Sequence, residues 1–179
     1  MWVFRIFIAS PGDVYQERDA AVRVIQQLNN ERRFSNQFKL QAIGWDQPGM
    51  EVPMAVGKTP QQAIDEGLPR PSECDLVVTL FWSLMGSPLE EKKPDGSRYE
   101  SGTEWEYLDA LNAYKNHKKP DIWLFRRQGK PKLDIDDPEF DEKRNQWLLL
   151  ESFFSQSVTP NNTIIRGENY YQDLVEFER

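Results

Sequence analysis

The segment Tyr99-Glu100-Ser101-Gly102-Thr103-Glu104-Trp105-Glu106 holds three carboxylates and two aliphatic hydroxyls within eight residues. Such groups serve as general acids, bases or nucleophiles when a fold positions them. Ser101 and Glu104 stand at the S-x-x-E spacing of a capping box, which assigns Glu104 to backbone amides at a helix start. Glu106 comes two residues later, roughly 200° further around that helix, and points elsewhere. On spacing alone Glu106 is an exposed helix residue, a salt-bridge partner or a reacting carboxylate, and all three readings stay open. Gly102 either lets a ligand approach the backbone or serves a tight turn.

A second group of polar residues, Ala9-Ser10-Pro11-Gly12-Asp13, follows an apolar run at the N-terminus. Asp13 caps a helix in this reading, with Gln16 three residues on completing a capping box. Little else in the chain carries chemistry. The single cysteine, Cys74, and the single histidine, His117, cannot together build a zinc site, a disulfide or a Ser-His-Asp arrangement. Cys74 precedes an apolar strand and reads as a small buried residue. His117 lies among Lys115, Lys118 and Lys119, the solvated end of a helix where cations suit the dipole. Catalysis in this chain therefore falls to carboxylates, hydroxyls or lysines.

Those residues need a scaffold, and the pattern of apolar runs supplies one. Val3–Ile8 reads as a first strand, and Ala21, Val22, Ile25 and Leu28 give the following helix its buried stripe. Phe38 to Trp45 alternates as a second strand. After a Pro/Gly-containing loop, a short helix covers about Thr59 to Glu66. Asp75 to Trp82 is almost continuously apolar, as befits a central parallel strand covered on both faces. Ser83 to Glu100 is a long loop, and a helix runs from about Ser101 to Asn116. Asp121 to Phe125 is a fourth strand, and a longer helix covers about Pro138 to Ser155. Thr163 to Arg166 is a short fifth strand, with a last helix beginning at Tyr170.

Strands alternating with helices imply a parallel sheet with right-handed crossovers. Five strands favour the flavodoxin-like order 2-1-3-4-5 in a single α/β domain spanning residues 1–179. Ligands of such sheets settle beyond the carboxyl ends of the strands, where strand order reverses. Here that point lies between the first and third strands, where the turn at Ser10–Asp13 meets the region from Trp82 to Glu106.

The 179 residues are ample for one core, with 39% hydrophobic and 28% charged. A net charge of −7 and a pI near 4.9 make a poor partner for nucleic-acid phosphates. No apolar run approaches the roughly 20 residues that span a bilayer. The first residues lack a basic leader and run into Ser10-Pro11-Gly12, unlike a signal peptide. A cytoplasmic domain without membrane or nucleic-acid partners is expected. The pattern breaks off at Glu176-Phe177-Glu178-Arg179 without a helix stop signal, which suggests the N-terminal part of a longer multidomain protein.

Phe7-Ile8-Ala9-Ser10-Pro11-Gly12-Asp13-Val14 followed by Glu17-Arg18 resembles the F-I-S-S-P-x-D-V…E-R opening of a domain found N-terminal to NACHT-type NTPases and WD repeats. Cys74-Asp75-Leu76-Val77-Val78, Trp82-Ser83-x-x-Gly86-Ser87-Pro88 and Ser101-Gly102-Thr103-Glu104-Trp105-Glu106 look like its later blocks. The wider group includes TIR domains and nucleoside 2-deoxyribosyltransferases. The resemblance implies that Glu106 matches the nucleophilic glutamate of the transferases and the glutamate with which TIR enzymes cleave NAD. Glu100 matches the acidic residue six positions earlier, with Glu in place of Asp. It further implies an NAD hydrolase of bacterial immunity or signalling, with NAD as substrate and no bound cofactor. Downstream domains of the same polypeptide and a homo-oligomer formed on activation are the implied partners. Ser10, Asp13, Ser83, Glu100 and Thr103 would line the substrate, with Trp45, Trp82 or Trp105 stacking on a flat base. A non-catalytic self-association module and a base-exchanging deoxyribosyltransferase are the alternatives.

Overall fold

Leu76 to Phe81 lacks any polar alternation, and all six residues are buried, because helices cover both faces of that strand. The computed structural model describes residues 2–31, 38–44, 67, 69–156 and 167–179. Its strands are β1 (Trp2–Ala9), β2 (Phe38–Ile43), β3 (Leu76–Phe81), β4 (Asp121–Arg127) and β5 (Asn169–Tyr171). They form one sheet in the order β2-β1-β3-β4-β5, with every neighbouring pair parallel. This is the flavodoxin-like α/β arrangement that the alternation of elements implies. Among the described residues no helix is long and apolar enough to cross a membrane.

Register divides the core in two. Ile6 and Ile8 of β1 stand beside Leu76 and Val78 of β3. With Leu80 they face α1 (Tyr15–Asn30) and the single-turn helix α4 (Leu174–Phe177) through Val14, Ile25 and Phe177. The alternate residues Phe7, Ala9 and Val77 meet Ala110 of α2 (Gly102–His117) on the other face. There Phe81 packs on Phe153 and Phe154 of α3 (Phe140–Ser155), with ring centroids 5.3 and 5.8 Å apart. Tyr107 of α2 meets the same Phe153 edge-on at 5.5 Å. Offset and edge-on ring contacts of this kind add to what area burial alone gives.

Polar side chains fix the register at the lower end of the sheet. The Asp75 carboxylate accepts the Arg5 amide at 2.8 Å, while the Asp75 amide donates to the Arg5 carbonyl at 2.9 Å. The Asp121 amide then reaches the Asp75 carbonyl at 3.0 Å, so one residue ties β1, β3 and β4 together. At the end of α1, the Asn29 amide group both donates to and accepts from the Leu40 backbone, each at 2.8 Å. That pair replaces a sheet-like bond with a side chain and sets β2 against α1.

Several sequence expectations change. Asp13 does not cap α1: a 3-10 turn at Gly12–Val14 precedes the helix, and neither start carries a side-chain cap. Its carboxylate is drawn across to another loop, where three donors compete better than one local amide. Tyr170 does not open the last helix. Asn169–Tyr171 pair with Phe125–Arg127 as the fifth strand, and the helix starts at Leu174 under an Asp173 cap. Tyr171 and Phe125 bury their rings against Phe177, and that contact outweighs helix propensity. The expected fifth strand at Thr163–Arg166, the helix near Thr59–Glu66 and Trp45 lie outside the described residues. Ser83–Glu100 contains an ordered excursion, with a Lys92–Arg98 antiparallel bridge and a Lys93–Ser97 backbone bond of 2.7 Å.

Candidate functional site

The order β2-β1-β3 places the strand-order reversal between β1 and β3, so their outgoing turns meet there. Asp13 joins them. Its Oδ2 accepts the Ser83 amide at 2.8 Å, the Ser83 hydroxyl at 2.9 Å and the Leu84 amide at 3.0 Å. Three donors on one carboxylate oxygen hold the two turns at a fixed distance, which neither backbone could do alone.

Gly86 closes the same junction. It sits at φ +108°, and a Cβ there would lie 3.0 Å from Cβ of Ser101 and 3.6 Å from Cβ of Pro11. The turn after β1, the turn after β3 and the capping residue of α2 thus converge on one glycine. From α3, Gln146 accepts the amides of Met85 and Gly86, both at 3.0 Å. The β1 turn, the start of α2 and α3 therefore fix this loop.

Ser101 caps α2, its Oγ accepting the Glu104 amide at 3.0 Å. The Glu104 carboxylate returns the favour one residue early, accepting the Glu100 amide at 2.8 Å. Its other oxygen takes a 2.7 Å ion pair from Lys93 of the Lys92–Arg98 excursion. Both oxygens of Glu104 are spent on structure, as the capping-box spacing implies. Glu100 itself is exposed.

Glu106 is only 3% exposed, which excludes the exposed-helix reading. It lies on the sheet-facing stripe of α2 with Thr103 and Ala110, at the helical intervals of three and four. The sequence offered no signal for that burial, because a lone Glu two residues from a cap fits any face. Across from α2, the fully buried Thr79 of β3 leaves its hydroxyl without a hydrogen-bond partner among the described residues. Ser10 Oγ and Asp13 Oδ1, at the turn after β1, are also shielded from solvent and without a hydrogen-bond partner among the described residues. Polar oxygens left unmatched in this way are uncommon and costly.

Trp82 lies at this end of the sheet, half-buried, but its ring is engaged. Its Nε1 donates to the Gly129 carbonyl at 3.2 Å, and the Arg127 guanidinium stacks 4.5 Å from the ring centre. Arg127 also pairs at 3.3 Å with Glu17, a carboxylate only 2% exposed. Burial first, and the Glu17 charge second, push the neighbouring Tyr171 phenol well above its usual range. Sequence reasoning missed Glu17, Arg127 and Gln146 as members of this end of the sheet. Glu17 had a signal: it stands four residues before Ala21 and eight before Ile25, on the apolar stripe. Ser83 and Thr103 are buried beside the junction, and Cys74 and His117 are respectively buried and exposed, as their contexts imply.

The chain matches no protein-family model, no curated protein and no solved structure.

Proposed function

We propose that this domain cleaves the nicotinamide–ribose bond of NAD⁺, as the effector unit of a bacterial immune or signalling protein. The observation that carries the proposal is the burial of Glu106 on the sheet-facing stripe of α2, whose first turn abuts the β1–β3 junction. A carboxylate withdrawn from water stabilises a developing cation more strongly than an exposed one. In the reaction nicotinamide leaves with the bonding electron pair and becomes neutral, so no acid is needed to protonate it. The ribose carbon left behind acquires oxocarbenium character, which Glu106 stabilises or captures, and water then adds there with loss of a proton. The resemblance of Ser101–Glu106 to the catalytic segment of deoxyribosyltransferases supports the same role for Glu106, and the scarcity of other reactive groups agrees with so sparse a mechanism.

The test is incubation of the purified protein with NAD⁺, both as isolated and forcibly oligomerised. Nicotinamide release is expected in at least one state, falling by 100-fold or more in Glu106→Gln, an effect on the order of other losses of a transition-state charge partner. No release in either state, or full activity in the variant, removes the proposal. Exchange of bases between deoxynucleosides without NAD⁺ cleavage would select the transferase alternative.

A second reading, a self-association module, draws on exposed aromatic surface. Trp2 is 85% exposed and Trp123 53%, and register sets both on the α1 side of the sheet. Assembly that rises with concentration, survives Glu106→Gln and is lost in Trp123→Ala would favour it.

A further inference from the structure

The two oxygens of Asp13 are unequal. Oδ2 carries three hydrogen bonds to the turn after β3, at 2.8, 2.9 and 3.0 Å. Among the described residues Oδ1 has no partner and is shielded from solvent, and so is the hydroxyl of Ser10 on the same turn. Both residues are half-buried as a whole, while these two oxygens are themselves shielded from solvent. A carboxylate oxygen only accepts, so whatever satisfies Oδ1 must bring a proton to donate. The Ser10 hydroxyl both donates and accepts.

We infer that the ligand group taken up between the β1 and β3 turns is a sugar hydroxyl, or a pair of them, and not a phosphate. This rests on the reading that the junction binds NAD⁺. A vicinal diol has the matching pattern: one hydroxyl donates to Oδ1 while its neighbour engages Ser10. The pyrophosphate of NAD⁺ is fully ionised at neutral pH, has no proton to give and would meet the Asp13 carboxylate as a like charge, which is unfavourable at close range. The amides of the Gly12–Val14 turn do not offset this, because the carboxylate belongs to that same turn. NAD⁺ is therefore oriented with a ribose against the β1 turn and its pyrophosphate elsewhere.

Asp13→Asn tests the sign. The three donors from Ser83 and Leu84 hold the amide oxygen at the Oδ2 position, which puts the amide nitrogen, a donor, where Oδ1 was. NAD⁺ binding is measured by calorimetry on the full chain carrying Glu106→Gln to prevent turnover, with thermal unfolding recorded for each variant. Asp13→Asn is expected to weaken NAD⁺ at least tenfold. Equal or tighter binding overturns the inference, since removing the charge would relieve a phosphate. Ser10→Ala is expected to weaken NAD⁺ several-fold at unchanged unfolding temperature, and it carries the test should Asp13→Asn unfold; unchanged affinity there overturns the inference as well. Absence of NAD⁺ binding in the parent removes this inference together with the reading it rests on. Weakened binding in both variants without nicotinamide release by the unsubstituted protein leaves the inference standing and removes only the glycosidase.

Discussion

Three carboxylates within seven positions have three different fates, and only their surroundings separate them. Glu100 is exposed, Glu104 is consumed by a cap and an ion pair, and Glu106 is buried on the sheet-facing stripe. Glu104→Ala is expected to cost about 2 kcal/mol in urea unfolding, because it strips a helix start and leaves the largely buried Lys93 unpaired. Glu104→Gln, which keeps an acceptor, is expected to retain nicotinamide release, in contrast to Glu106→Gln. Cys74 makes a second residue-scale prediction. Burial pushes its thiol up to about 12 from an ordinary value of 9.0, with the Arg5 charge only partly opposing. Above pH 9 the unfolded chain loses that proton while the folded chain keeps it, so stability contributed by the neutral thiol is lost as pH rises toward 12. Unfolding free energy should therefore fall by roughly 1 kcal/mol per pH unit more in the parent than in Cys74→Ala over that window. Parallel curves for the two proteins would contradict the burial argument.

At the scale of elements, the loop after β3 is built rather than draped. Asp13, Gln146 and the close approach of Pro11 and Ser101 to Gly86 fix it from the β1 turn, α3 and α2. Gly86→Ala meets two obstacles, a positive φ and a Cβ 3.0 Å from Ser101. Its expected cost is about 2 kcal/mol, read as a lower midpoint in chemical denaturation. Because Ser101 also caps α2, the same variant should reduce nicotinamide release beyond what partial unfolding explains, measured at a temperature where the fold is intact. The Lys92–Arg98 excursion is tied to α2 through Lys93, so the length of the loop between β3 and α2 reflects a structural attachment as much as a site.

At the scale of the whole molecule, Glu17 and Arg127 connect α1 with β4 across the upper end of the sheet. Arg127→Ala leaves Glu17 buried without that charge partner and removes the cation from the Trp82 ring. The expected loss is about 3 kcal/mol, with the Glu17→Ala, Arg127→Ala double variant less destabilised than the sum of the two singles. Additive losses would mean that the pair does not act as a unit.

The sequence by itself determined the strand order, the two-sided burial of β3 and the meeting of Ser10–Asp13 with the Trp82–Glu106 region. Periodicity and chain order are local properties, and right-handed crossovers leave few ways to arrange five such strands. The cap at Ser101 with Glu104 was equally legible, because its partners lie three residues apart. Only the tertiary structure decided where Asp13 sends its carboxylate, since Ser83 and Leu84 are seventy residues away and outcompete the local amide. It alone decided that Tyr171 joins the sheet, because Phe125 meets it from a distant part of the chain and Phe177 packs on both rings. The burial of Glu106 belongs to the same class: a helix position acquires its face from what packs against it, and no spacing within Ser101–Glu106 specifies that neighbour.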